Sequence, residues 1–275
     1  VINVHKFKLL PRPIALILFW LKAQYLLFFG NINIAIISPA MMLIIPKQLS
    51  IISIAHHYDP TVFRGLKRLY VKLYHWFFLF QRNKVNLVVS CSEYWSNFYR
   101  EKGFKNAITI HNGFDIKSMD RSLNQNNCDL VLKKYKLDKY KYLHLGKYAI
   151  GKGQSSVLKS LKKFGLTMIA TGSSKTLSSE KLNELRLINA NYDDYNIILK
   201  HAKAVICMSE FKEGWCRVLH EAAIHGTPIL GSGLGGMGEL LNIGNLKSST
   251  IETLGNDLNS IVNEKQLSND KVRLY

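Results

Sequence analysis

Acidic residues are scarce in this 275-residue chain: 19 Asp/Glu stand against 37 Lys/Arg, for a formal charge of +18. The imbalance is spread along the sequence, with 14 Lys/Arg against 4 Asp/Glu in residues 1–115 and 23 against 15 in residues 116–275. Such an excess suits nucleic acid, an anionic membrane or phosphorylated small molecules. Zinc-finger spacing, an aromatic RNA-binding signature and a long basic run are all missing, so no nucleic-acid partner is expected. Cysteine is rare as well. Cys91, Cys128, Cys207 and Cys216 form no C-x-x-C pair, which excludes a disulfide framework or structural zinc and suits a reducing cytoplasm. There is no Asp-x-Asp pair and no His/Asp cluster at ligand spacing, so no metal is expected. The apolar run at 14–30 is broken by Lys22 and falls short of the roughly 20 residues that span a bilayer. The opening "VINVHKFKLLPRP" has no signal-peptide layout.

What is present is an alternation of short β-rich runs and helical segments. Strands are expected at 50–55, 86–92, 107–115, 142–148, 166–174, 202–210 and 227–236, with helix-like stretches at 154–164, 178–187, 193–201 and 215–225. Ser92 can cap a helix that stops at Gly103. This rhythm predicts parallel sheets covered by helices, with ligands bound where the strands end at their carboxyl side. The polar stretch "KSMDRSLNQNNCD" (117–129) reads as a linker between domains at 1–116 and 130–275.

The chemistry concentrates in "EGWCRVLHEAAIHGTP" (213–228). Val218, Leu219, Ala222 and Ala223 make an apolar helical face, which any helix of a parallel sheet would show, and Gly226 and Pro228 close it. The two glutamates need a separate reason. Gly214 lets the backbone approach a ligand, and the first-turn N–H groups of the helix favour an anion such as a diphosphate. Carboxylates beside such a site suit neutral donors like sugar hydroxyls: Glu213 for a transferred hexose and Glu221 for a ribose.

This segment, continued as "ILGSGLGGMGELL", resembles the E-x7-E region of family 4 retaining glycosyltransferases, which have the GT-B fold of two Rossmann-like α/β domains and use nucleotide-diphospho-sugars. "LGKYAIGKGQ" (145–154), "VVSCSEYWSNFYREKGFKNAITIHNGFD" (88–115) and "HHYDP" (56–60) resemble further elements of that family. The resemblance implies that Lys147 and Lys152 neutralise the donor diphosphate and that Glu213 holds the donor sugar near the amides of Gly214 and Trp215. Glu221 would bind the ribose, and His56 or His57 would reach the donor from the N-terminal domain. Gly146, Gly172, Ser173, Cys216 and Arg217 are placed against the donor too, and base contacts are expected around Asn189 to Asp194. Gly172, Ser173 and Ser174 suit a plain strand-to-helix loop equally well.

The implied reaction is metal-independent and cofactor-free. It transfers a hexose from a UDP- or GDP-linked donor to a glycan or lipid-linked acceptor in surface polysaccharide or lipopolysaccharide synthesis. The family's opening strand and Gly-rich loop are not seen, which implies an incomplete N-terminal domain in a fragment or shortened member. Two rivals stay open: a non-catalytic remnant that binds a nucleotide-sugar or a partner, and a nucleotide-sugar epimerase. Residues 64–84 carry Lys67, Arg68, Lys72, Arg82 and Lys84 around an aromatic middle. They read either as a helix packed on the sheet with a solvated basic side or as one lying on the inner face of an anionic membrane.

Overall fold

A computed structural model describes residues 12–123, 125–172 and 184–263. The chain divides into two compact units, residues 1–111 and 112–275. Both are α/β units built on parallel sheets.

In the first unit, helix α1 (Arg12–Phe29) leads into β1 (Ile34–Ile37) and β2 (Ser50–Ile54), followed by α2 (Gly65–Phe80), β3 (Leu87–Ser90), α3 (Glu93–Glu101) and β4 (Ala107–Thr109). The four strands lie side by side in chain order, in register Ile37 to Ser53, Ser53 to Val88 and Val88 to Ala107. Because side chains alternate along a strand, those four face the helices, and Ile51 and Val88 are completely buried against Leu27, Phe78, Trp95 and Tyr99. Aromatic rings fill this core, with Phe78 and Phe104 stacked at 4.8 Å. Each such ring removed from water contributes about 2 kcal/mol.

The other face of the same sheet carries Ile34, Ile36, Ile54 and Ile108, all exposed. A parallel sheet is normally covered on both faces, and among the described residues α1, α2 and α3 all supply side chains to the one core. The N-terminal domain is an incomplete doubly wound unit, as the sequence suggested. Strand β1 was not anticipated, although Gly30-Asn31 and Ser38-Pro39 bound its short "IAII" run.

In the second unit, α4 (Ile116–Arg121) and α5 (Gln125–Lys134) precede β5 (Tyr142–Lys147), α6 (Gln154–Leu161), β6 (Thr167–Thr171) and β7 (Leu185–Ile188). Then follow α7 (Tyr192–Lys200), β8 (Ala204–Cys207), α8 (Arg217–Ile224), β9 (Ile229–Gly231), α9 (Gly236–Ile243) and α10 (Leu254–Asn263). The stretch read as a linker therefore forms helices. The Asp115 carboxylate accepts the Ser118 N–H at the start of α4, and buried Cys128, Val131 and Leu132 anchor α5. The helix expected at 178–187 is also corrected where it is described: Leu185 begins β7, which pairs Met168 with Leu185 along β6.

The five strands run β7-β6-β5-β8-β9, all parallel. Chain order reverses on either side of β5, so a crevice opens at the carboxyl ends of β5 and β8, the place where open α/β sheets bind ligands.

Candidate functional site

Two loops meet at that crevice. The first, after β5, is shaped by glycine. Gly146 has φ +68°, and its N–H donates to Nδ1 of the completely buried His144 at 3.1 Å. Burial holds that imidazole down to about 3, so it is neutral and free to accept. Gly153 has φ +71°, and a Cβ there would stand 2.0 Å from the Met208 carbonyl oxygen. The side chain of Gln154 donates to the carbonyls of Leu145 and Lys147, and Glu210 N–H donates to Gly151 O at 2.8 Å, tying the loop to the one after β8.

The second loop, 208–216, carries Glu213 into the crevice. Its backbone forms a parallel bridge with Gly235, whose φ of +68° and close packing on Glu213 leave no room for a Cβ. Glu213 is buried, at 7% exposure, which removes the reading of a solvated surface carboxylate. It accepts from Lys152 and from the Ser209 hydroxyl on the same oxygen, Oε1. Lys152 also lies over the Phe211 ring at 5.0 Å. Burial opposes the lysine's charge, but the Glu213 carboxylate outweighs it and holds the ammonium above its ordinary range. Lys147, in contrast, ends β5 exposed to solvent. The sequence expected both lysines to face a diphosphate. In the structure Lys152 pairs with Glu213, and Lys147 is exposed.

Helix α8 begins between the two carboxylates. Cys216 occupies its N-cap position and makes no side-chain cap, so no side chain caps the first-turn N–H groups at that position. The neighbouring Cys216 thiol, together with burial, keeps the Cys207 thiol well above the usual thiol range. Cys216 is thus a small buried residue beneath the helix start. The Trp215 ring is buried, its Nε1 donating to His220 Nδ1 at 3.1 Å. Glu221, one turn inside α8, is 5% exposed and accepts from Tyr195 OH at 2.8 Å and from Arg217 at 3.4 Å. Burial raises its pKa, against the pull of Tyr195 and Arg217. Arg217 in addition covers the Phe114 ring at 5.4 Å.

Gly172 closes β6 with its N–H on the Ile188 carbonyl at 3.0 Å, and Ser173 lies outside the described residues. Asn191 caps α7 by accepting the Asp194 N–H, while the Asp194 carboxylate accepts from Lys134 at 2.6 Å and from Tyr135 at 2.9 Å. The Asp193 carboxylate accepts from the Ser122 hydroxyl at 2.7 Å, so the side chains of Asn191, Asp193 and Asp194 all have partners within the second unit. In the first unit, exposed His56 and His57 follow β2 and line a cavity of about 260 Å³ with Ser38, Asp59 and Tyr74. Reasoning from sequence missed Ser209, Phe211 and Tyr195, which hold the named carboxylates and lysine. Only their position after β8 or early in a helix could have signalled them.

No protein-family model matches the sequence, and no curated protein is recognisably similar to it. Solved structures do match. Anabaena HepE in complex with UDP-glucose superposes with a TM-score of 0.63 at 18% identity, covering 82% of this chain and 66% of that one. Sucrose-phosphate synthase from Thermosynechococcus elongatus gives 0.67 at 14% identity over 96% and 75%. A glycosyltransferase from Rickettsia africae gives 0.65 at 14% identity over 96% and 76%. The chain thus spans about two thirds to three quarters of the length of these proteins. At such identities the likeness establishes the fold, GT-B, and nothing finer.

Proposed function

We propose that this chain is a retaining glycosyltransferase that takes a hexose from a nucleotide-diphospho-sugar and delivers it to a glycan or lipid-linked acceptor. The observation that carries the reading is the pair of buried carboxylates, Glu213 and Glu221, on either side of the start of α8, whose N-cap residue Cys216 makes no side-chain cap, at the switch point of the second sheet. The UDP-glucose and UDP complexes of HepE support a uridine nucleotide as the donor's leaving part.

In this account the diphosphate sits on the first-turn N–H groups of α8, where the helix dipole favours negative charge. Lys147 and Lys152 add positive charge where the leaving phosphate develops its own, which lowers the barrier by preorganised electrostatics without a metal. Lys152 then divides its contacts between phosphate and Glu213. Glu213 accepts from donor-sugar hydroxyls and stays fixed by Ser209. Glu221, buttressed by Tyr195, accepts from the ribose. Attack is on the face from which the nucleotide departs: the acceptor oxygen bonds to the anomeric carbon, the carbon–phosphate-oxygen bond breaks, and the leaving phosphate takes the acceptor's proton.

Glu213 is a positioning carboxylate in this scheme, not the nucleophile of a retaining glycosidase. Glu213→Gln is expected to lower turnover of UDP-hexose by about a hundredfold with no covalent sugar on the protein by mass spectrometry. A sugar adduct trapped on Glu213 would overturn that assignment.

A further inference from the structure

Helix α2 is apolar on two opposite sides. Val71, His75 and Phe78 are buried against the first unit's sheet. On the reverse side Leu66, Leu69, Leu73, Trp76 and Phe80 recur at spacings of three and four, which puts them in one stripe along the helix. They are 84%, 53%, 46%, 63% and 72% exposed, so nothing among the described residues covers them. A helix that is hydrophobic all round needs a cover on its second side.

The charge around the stripe says what kind of cover fits. Lys72 lies on its border, with Arg68 and Lys67 further round the helix, all three exposed. Residues 64–84 contain no Asp or Glu, and residues 1–111 hold only Asp59, Glu93 and Glu101 against 14 Lys/Arg. A stripe of leucines ending in a tryptophan and a phenylalanine, bordered on one side by Lys72 and carried by a unit in which cations far outnumber acids, matches a surface that is apolar within and anionic at its edge. Leucine and aromatic side chains enter the acyl boundary, and lysine and arginine stems reach back to phosphate headgroups. No described helix is long and apolar enough to cross a membrane, so the contact lies in the interface plane.

We infer that α2 docks the protein on an anionic lipid surface through the Leu66–Phe80 stripe. The inference is independent of the donor site, which lies in the other unit. The test is flotation of the full chain with phosphatidylcholine vesicles and with vesicles containing about a third phosphatidylglycerol, with light scattering of the free protein. Binding to the anionic vesicles is expected to exceed that to neutral ones by about tenfold, and to weaken as salt is raised. Trp76→Ser with Phe80→Ser should abolish it while leaving the melting temperature and nucleotide binding unchanged, since both side chains are mostly in water. Lys67→Gln with Lys72→Gln should remove the preference for anionic lipid and keep any residual neutral binding. Failure to bind either vesicle would overturn the inference. So would a free protein of twice the monomer mass that Trp76→Ser with Phe80→Ser makes monomeric, because a second copy would then be the cover. Vesicle binding that survives the Trp76/Phe80 double variant would also overturn it.

Discussion

Gly153→Ala is expected to cost about 3 kcal/mol of folding stability and to abolish nucleotide binding. Two effects add at this residue. Its φ of +71° lies in the left-handed region, where a Cβ alone costs about 1 kcal/mol. The larger one is steric: the new methyl would sit 2.0 Å from the Met208 carbonyl oxygen, which is backbone of the segment leaving β8. That backbone cannot retreat without separating the two loops that Glu210 N–H and Gly151 O hold together, and those loops present Lys152 and Glu213. Gly165→Ala is the matched control in the same unit. It has φ +62° with nothing within 4 Å of the added Cβ, so it should lose only about 1 kcal/mol and leave binding unchanged. Urea melts of the two variants check the difference. Equal losses would mean that the loop after β5 adapts freely and is not a rigid support for the site.

The second large effect concerns Lys152 and Glu213. Removing one member of the pair strands the other: Glu213 has only 9% of its side chain exposed, and Lys152 has 27%. A fully buried partner would cost more, but the lysine's access to water brings the expected loss for Lys152→Met or Glu213→Gln to about 2 kcal/mol. The double variant should be more stable than the sum of the two losses implies, with a coupling of about 1–2 kcal/mol. Turnover should remain low in all three, because stability is recovered while the phosphate and sugar contacts are not. Denaturant melts combined with a donor-turnover assay separate the two quantities. Strictly additive stability losses would show that Lys152 and Glu213 are not a working pair.

The arrangement of the candidate site was legible in part because its residues have unusual neighbours. Glu213 beside Gly214, with Glu221 eight positions later and Gly226-Thr-Pro at the end, cannot be explained by the apolar face of α8 alone. The alternation of β5, β6, β8 and β9 with helices likewise implies a parallel sheet from the sequence alone. What stayed hidden depends on contacts between residues far apart in sequence. Lys152 and Glu213 meet across 61 positions because β5 and β8 are adjacent, and sequence alone orders strands by chain, not by neighbour. Tyr195 reaches Glu221 for the same reason, through the packing of α7 beside α8.

Composition misled in two places. Residues 117–129 are polar enough to suggest a linker, yet a cap at Asp115 and a few buried positions suffice for helices. Leu182 and Leu185, three apart, suited a helical period, but Leu185 and Leu187 also suit the alternation of a short strand, and pairing to β6 decided it. The exposed aliphatic face of the first sheet had no signature either. Its strands are mostly apolar on both faces, as they would be in a sheet covered on both sides.

Glu213 and Glu221 are both buried and both hydrogen-bonded within the second unit, on either side of the start of α8. The central claim is that this start of α8 holds a nucleoside diphosphate, with Glu221 on its ribose. Calorimetric titration of the folded protein with UDP, GDP and ADP, repeated on Glu221→Ala, tests it most directly. The account predicts saturable binding of one nucleotide, UDP, that is lost in the variant while the fold is retained. Absence of binding by all three to the folded wild type, or binding untouched by Glu221→Ala, would contradict it.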